Sequence, residues 1–373
     1  MLVYILATIM SAIFIGIAHH FYIFNKDEYI LKNNKFIQKK KINLLCILFI
    51  IISILQLALV SSLRVGVGTD YYFTYYPGFY QILGGNNPYE RELTPFFYYL
   101  NKFIQLFSDN PQWIFVITSF IFVTSFVISI VKMSDNWIYS VILFVFGGYY
   151  LSSMNNVRQW VSVSLITMSY SYLVDKKFIR GIIMGIFALC FHTSTILIIP
   201  LLVLVAIPKL KKYLIYISII CLILTPFYLT IIELAKDKIN YEGYFELMKN
   251  QPLMIYIMPY LTIYIVLLIY HNQLDQINKY SSGLILIFTF GVAFSLLSSQ
   301  MVGESTIRLT NWFLWPLIYL IPSFTKINKN KIVANGLATI LTLIVIGVTV
   351  DRIVLNGWYE VIPYRDIWNH IFY

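Results

Sequence analysis

Apolar residues along this chain gather into long unbroken runs, without the alternation of a half-buried strand. The runs fall at about 2–24, 43–62, 112–131, 137–153, 157–174, 179–207, 213–232, 253–270, 281–300, 309–323 and 332–350. A helix needs roughly 20 apolar residues to cross the hydrocarbon of a bilayer. The pattern therefore predicts an all-α polytopic membrane protein with about 11–12 transmembrane segments, some of them broken or re-entrant. The whole chain, 1–373, reads as one integral membrane domain, and the run from Leu2 to Phe24 as a retained first span. Composition agrees: 59% of residues are hydrophobic and only 12% charged, against about 25% charged in a soluble domain.

Charge settles how the runs alternate. Residues 25–42 hold Lys26, Lys32, Lys35, Lys39, Lys40 and Lys41, so that loop is expected on the cytoplasmic side. The run at 179–207 is interrupted by Phe191-His192-Thr193-Ser194, with Lys176, Lys177 and Arg180 at its start and Lys209, Lys211 and Lys212 just beyond its end. A single crossing would put one of these clusters outside; a break at His192 returns both to the cytoplasm. With that break the chain makes twelve crossings and both termini lie outside. Cytoplasmic loops then hold 17 of the 27 basic and 5 of the 17 acidic residues, a balance of +12, against −2 outside. Positive-inside bias accounts for the net charge without invoking nucleic acid.

Six of the seven arginines land outside: Arg64, Arg91, Arg158, Arg308, Arg352 and Arg365. Lysine suffices to orient a membrane protein, so these point to a phosphate-bearing ligand, which the planar guanidinium grips bidentately. Residues 63–111 form the longest outer segment; it is rich in tyrosine, with an interfacial helix expected from Pro95 to Phe107.

Four polar constellations fall on that outer side. Arg64-Val65-Gly66-Val67-Gly68-Thr69-Asp70-Tyr71 pairs a charged turn with two glycines that let backbone pass closely by a ligand; a capped helix end would be the plainer reading. Asn155-Asn156-Val157-Arg158-Gln159-Trp160 crowds polar groups at a junction of two apolar runs, where they must pair or line a hydrated cavity. His192 marks the break in its run, and imidazole suits proton transfer near neutrality, although a lone histidine is more often a satisfied core residue. Glu304 and Arg308 are spaced i, i+4, on one face of any helix there.

The acidic residues Asp70, Glu90, Glu92 and Glu304 show no metal-ligand spacing. Cys46, Cys190 and Cys221 all lie inside apolar runs, which favours neither disulfides nor a metal site. No cofactor is expected.

At these residues the sequence resembles a known family. Arg64-x-Gly-x-Gly-Thr-Asp70-Tyr71, Asn156-Val157-Arg158-Gln159, Phe191-His192-Thr193-Ser194, Arg308 and Ile362-Pro363-Tyr364 occur in the order found in the EpsG family. Those are membrane proteins of exopolysaccharide, capsule and O-antigen loci, grouped with Wzy-type polymerases. The resemblance implies a GT-C-like membrane glycosyltransferase architecture in a bacterial cytoplasmic membrane, with its site facing outward. It also implies polymerisation of undecaprenyl-pyrophosphate-linked oligosaccharide repeat units, alongside a flippase and a chain-length regulator of the same pathway. On this reading His192, Asp70 and Glu304 are the catalytic candidates, with His192 or Asp70 as base. Arg64, Arg158, Arg308, Tyr71, Asn156 and Gln159 are the substrate-binding candidates. The alternatives are a flippase of the same lipid-linked oligosaccharide, which should show two similar halves, and a ligase-like or acyl transferase acting on surface glycan.

Overall fold

The computed structural model describes residues 1–24, 27–32, 35–40, 43–89, 95–223, 254–298 and 304–372. It is an all-α polytopic membrane protein, as the apolar runs predict. Helix α1 spans Leu2–Phe24 and leads to a short antiparallel hairpin, β1 (Asp27–Lys32) with β2 (Lys35–Lys40). Sequence alone reads this lysine-rich stretch as a solvated loop. In the hairpin's backbone register Ile30 falls opposite Ile37 and Leu31 opposite Phe36. Helix α2 (Leu44–Ser62) follows, and then a five-residue π-helical turn, Tyr71–Tyr75, runs into α3 (Tyr76–Leu83). Next come α4 (Pro95–Gln105), which matches the helix expected in the outer segment, α5 (Gln112–Met133), α6 (Trp137–Phe146), α7 (Tyr149–Ser153) and α8 (Val157–Val174).

Among the described residues four helices are individually long and apolar enough to cross a membrane: residues 2–23, 44–62, 112–133 and 331–355. Other apolar runs are divided. The run at 137–153 breaks at Gly147-Gly148, where Gly148 adopts φ +87°, a left-handed value open to glycine. Helix α9 (Phe178–Phe191) ends at His192, whose backbone is extended, and a short 3₁₀ turn passes into α10 (Ile199–Ala206).

The direction of α10 can be read from its neighbours on α8. Ser169 at the far end of α8 bonds the carbonyl of Gly181, and Ser162 near its start bonds that of Ala188. Past the break, Val205 and Tyr170 both crowd Gly283, so α10 has returned to the level at which α9 began. The break at His192 is therefore a reversal, and the basic clusters on either side of it share one end of the molecule.

The remaining helices are α11 (Leu214–Ile223), α12 (Met254–Ile269), α13 (His271–Ile277), bent 72° from its predecessor, α14 (Ser281–Ser298), α15 (Glu304–Leu314), α16 (Leu317–Ser323) and α17 (Lys331–Thr349). A small pair, β3 (Tyr364–Arg365) with β4 (Ile371–Phe372), closes the chain. Asn43, Asn136 and Asn330 each cap a helix start by accepting a backbone N–H. All three sit at the end rich in lysine. The opposite end gathers both termini: the Tyr4 hydroxyl donates to the carbonyl of Val361 (2.8 Å) and Tyr364 to that of Val60 (2.8 Å).

Central to the bundle is α8, in which every residue but Tyr172 and Val174 is buried, although its face carries five serines and threonines. Each hydroxyl bonds a helical carbonyl, on α8 itself or on α9. Small polar residues of this kind let helices approach closely within a membrane without leaving orphaned groups.

Candidate functional site

The glycine-rich turn after α2 is shaped by the chain it touches. Gly66 and Gly68 take φ +63° and +91°. A side chain on Gly68 would fall 2.8 Å from the Met154 carbonyl oxygen, so the turn lies directly against the 154–155 backbone. There Asn155 Oδ1 accepts from the Thr69 hydroxyl (3.0 Å) and from the Asp70 backbone N–H (2.8 Å). Of the glycines expected to admit a ligand, Gly68 instead admits neighbouring backbone and Gly66 the Tyr72 ring, and the turn so packed fixes Asp70.

Arg64 is buried in the packing between α2, α5 and the 154–155 backbone. It is 1% exposed. Its guanidinium donates to the carbonyl of Ser61, to the hydroxyls of Ser61 and Ser119, and to the Met154 carbonyl at 3.3 Å, while lying 4.8 Å over the Phe115 ring. Its backbone pairs with Asp366 in the C-terminal segment. Tyr71 also turns inward: it stacks on Phe115 at 4.5 Å and donates to Gln112 Oε1, and burial pushes its hydroxyl up to about 12.

The other candidates converge. Asp70, Asn156, Arg158, Gln159, His192 and Arg308 line a single cavity of about 440 Å³, joined by Tyr75 and Trp312. This lies in the size range of small-molecule sites. Arg158 stands in the first turn of α8, with its guanidinium 4.8 Å from the Tyr89 ring and 5.6 Å from Phe97; its backbone N–H donates to the Tyr75 hydroxyl at 3.4 Å. Gln159 Nε2 donates to the Arg308 carbonyl at 2.6 Å, which ties α8 to α15. Arg308 Nη2 is 3.7 Å from Asp70 Oδ1, a loose ion pair across the cavity. Glu304 opens α15 four residues earlier, and its side chain lies outside the described residues. So do Glu90, Arg91 and Glu92.

His192 has a defined polarity. Its Nδ1 accepts the backbone N–H of Ser194 at 3.2 Å, and its ring meets Trp312 edge-on at 5.5 Å. A nitrogen that accepts a hydrogen bond cannot also carry the proton, so the neutral ring holds its hydrogen on Nε2. In this geometry His192 is a hydrogen-bond donor through Nε2.

Among the described residues two guanidinium groups, the positive end of α8 and one imidazole N–H face a single carboxylate. That balance favours a multiply charged oxyanion. No group of metal-ligating side chains occurs among the described residues. Tyr75 and Trp312 were not singled out from sequence, though each had a signal: Trp312 is i+4 from Arg308, and Tyr75 is i+4 from Tyr71.

No curated protein and no solved structure matches the chain. Residues 47–365 match the EpsG family, a family of Wzy-type polysaccharide polymerases, and the chain belongs to it.

Proposed function

We propose that this member of the EpsG family polymerises oligosaccharide repeat units carried on undecaprenyl pyrophosphate, in the cavity between α8, α9 and α15. The observation that carries this reading is the pairing of Arg158 and Arg308 with Asp70 around one cavity. Glycosyl transfer from a lipid pyrophosphate needs those two functions side by side.

The donor's pyrophosphate lies between Arg158, Arg308 and His192 Nε2–H. The bond from the sugar's anomeric carbon to the phosphate oxygen breaks, and a bond to the acceptor's hydroxyl oxygen forms. The hydroxyl proton passes to the Asp70 carboxylate, and undecaprenyl pyrophosphate leaves with its charge held by the two arginines. Between the two bases suggested by sequence, geometry favours Asp70, because the free lone pair of His192 is engaged by Ser194. The arginine-bearing end faces outward from a bacterial cytoplasmic membrane and the lysine-bearing end inward, in keeping with positive-inside bias.

The direct test is purified protein supplied with synthetic lipid-linked repeat units, scored for a ladder of polymer. Vectorial movement of the lipid without new glycosidic bonds would replace this reading with a flippase. Within the same assay His192→Gln, which keeps an N–H donor, retains more turnover than His192→Ala. A rising limb of turnover near pH 6.5 that vanishes in His192→Gln would return the role of base to His192.

A further inference from the structure

We propose that a second, smaller cavity on the other flank of the α8–α15 contact binds a phosphate group, that of the acceptor lipid; this rests on the polymerase reading above. The cavity measures about 40 Å³ and is lined by Ser152, Trp160, Tyr260, Asn311, Arg352 and Trp358, among others. At roughly 10–15 Å³ for each water position it has room for about three waters, or one tetrahedral oxyanion.

Its chemistry is one-sided. Asn311 is 8% exposed and Trp160 1% exposed. Among the described residues neither the Asn311 amide nitrogen nor the Trp160 indole N–H has an acceptor. A buried donor left unpaired is destabilising, so two of them lining one cavity call for an acceptor inside it. Arg352 adds a guanidinium, held 5.2 Å over the Trp358 ring, and among the described residues none that lines the cavity is acidic. Donors and positive charge without a carboxylate select an anion over a neutral ligand or a cation.

The placement supplies the reason for a second site. Arg308 and Trp312 of α15 face the large cavity, whereas Asn311 faces the small one; on α8, Gln159 and Trp160 divide in the same way. A polymerase must hold two lipid-linked molecules at once. The donor's pyrophosphate is the leaving group, but the acceptor keeps its own, one repeat unit away from the hydroxyl that reacts. A second phosphate subsite near the first, yet separated from it by a helix contact, is what that arrangement needs.

Equilibrium binding of undecaprenyl phosphate to the purified full chain tests the site itself. Two molecules per chain are expected, with Asn311→Asp removing one and Arg158→Ala the other. Asn311→Asp is nearly isosteric and puts a carboxylate in the cavity that Arg352 also lines, so its thermal unfolding should come no earlier than that of the wild type. In the polymer assay Asn311→Asp should raise KM for a lipid-pyrophosphate acceptor by about 10- to 100-fold, the scale of charge-assisted hydrogen bonds. KM for a phosphate-free acceptor glycoside should not move. A single binding site in the wild type, or two that persist in Asn311→Asp, would overturn the proposal. Equal competition by inorganic phosphate or by anionic phospholipid would also overturn the acceptor assignment. Absence of polymer from the wild type would sink the polymerase reading, while a stoichiometry of two would still support a second phosphate site.

Discussion

The two ends of the bundle use charge in opposite ways. At the lysine end two carboxylates, Asp175 and Asp135, are each held by three donors. Asp175 receives Lys279 at 2.7 Å, Lys132 at 3.0 Å and the Tyr280 hydroxyl at 2.9 Å. Asp135 receives Lys326 at 2.7 Å, the Ser323 hydroxyl at 2.7 Å and Asn278 at 2.9 Å. These contacts join α5, α8, α14 and α16 and leave the two acids no function beyond holding helix ends together. At the cavity end Arg308 Nη2 stands 3.7 Å from Asp70 Oδ1, and both groups line a 440 Å³ cavity. Charge that closes on itself builds a scaffold; charge held apart by a scaffold can bind a ligand.

The sharpest way to break this comparison is to neutralise one carboxylate at each end. Asp70→Asn is expected to lower turnover by about 10²–10⁴-fold, the usual contribution of a positioned acid or base, with binding of lipid-linked donor retained. Asp175→Asn should leave turnover per folded molecule nearly unchanged. Comparable losses from both would mean that the two ends do not divide the work as described.

Next in size is a contrast between two buried arginines. Arg158→Lys should cost about 10²–10³-fold in polymer yield at matched protein level, close to the loss in Arg158→Ala, because charge is kept while the bidentate fork is lost. Arg64→Lys should act through folded yield instead, since its Nη1 and Nη2 donors are committed to Ser61, Ser119 and Met154; the molecules that fold should stay active. Near-normal activity in Arg158→Lys would reduce Arg158 to a point charge.

The smallest effect belongs to the closed end. Asp175→Asn should cost about 1–3 kcal/mol of stability, the scale for charge-assisted hydrogen bonds. Burial pushes the Asp175 carboxyl up, but hydrogen bonds from Lys279, Lys132 and Tyr280 outweigh it and hold the group below its ordinary value. Its stabilisation is therefore fully present above the ordinary carboxylate pKa of about 3.9 and is lost as pH falls through the lower folded value. Unfolding temperatures measured between pH 3 and 6 should show the gap between wild type and Asp175→Asn closing below about pH 4. A gap independent of pH would assign the effect to packing.

How the ends came to differ is partly legible in the residues alone. Long apolar runs have few folding options in a bilayer, where backbone hydrogen bonds must close within each segment. Hence the helical class, the helix at Pro95 and the reversal at His192 follow from local pattern and charge. The motifs around Asp70, Arg158, His192 and Arg308 were also visible, because polar groups inside apolar sequence need a reason to be there.

What each polar group does was left to tertiary structure. Arg64 and Arg158 look alike along the chain, yet one spends its donors on neighbouring carbonyls and hydroxyls while the other faces the cavity. Gly68 gave no sign that its partner would be the backbone at Met154, 86 residues further on. The donor character of His192 depends on a 3₁₀ turn that aims one backbone N–H at Nδ1. Apolar burial is non-directional and written in local composition, whereas a hydrogen bond is fixed by the distance and angle between two groups, and distant groups meet only once the helices have packed.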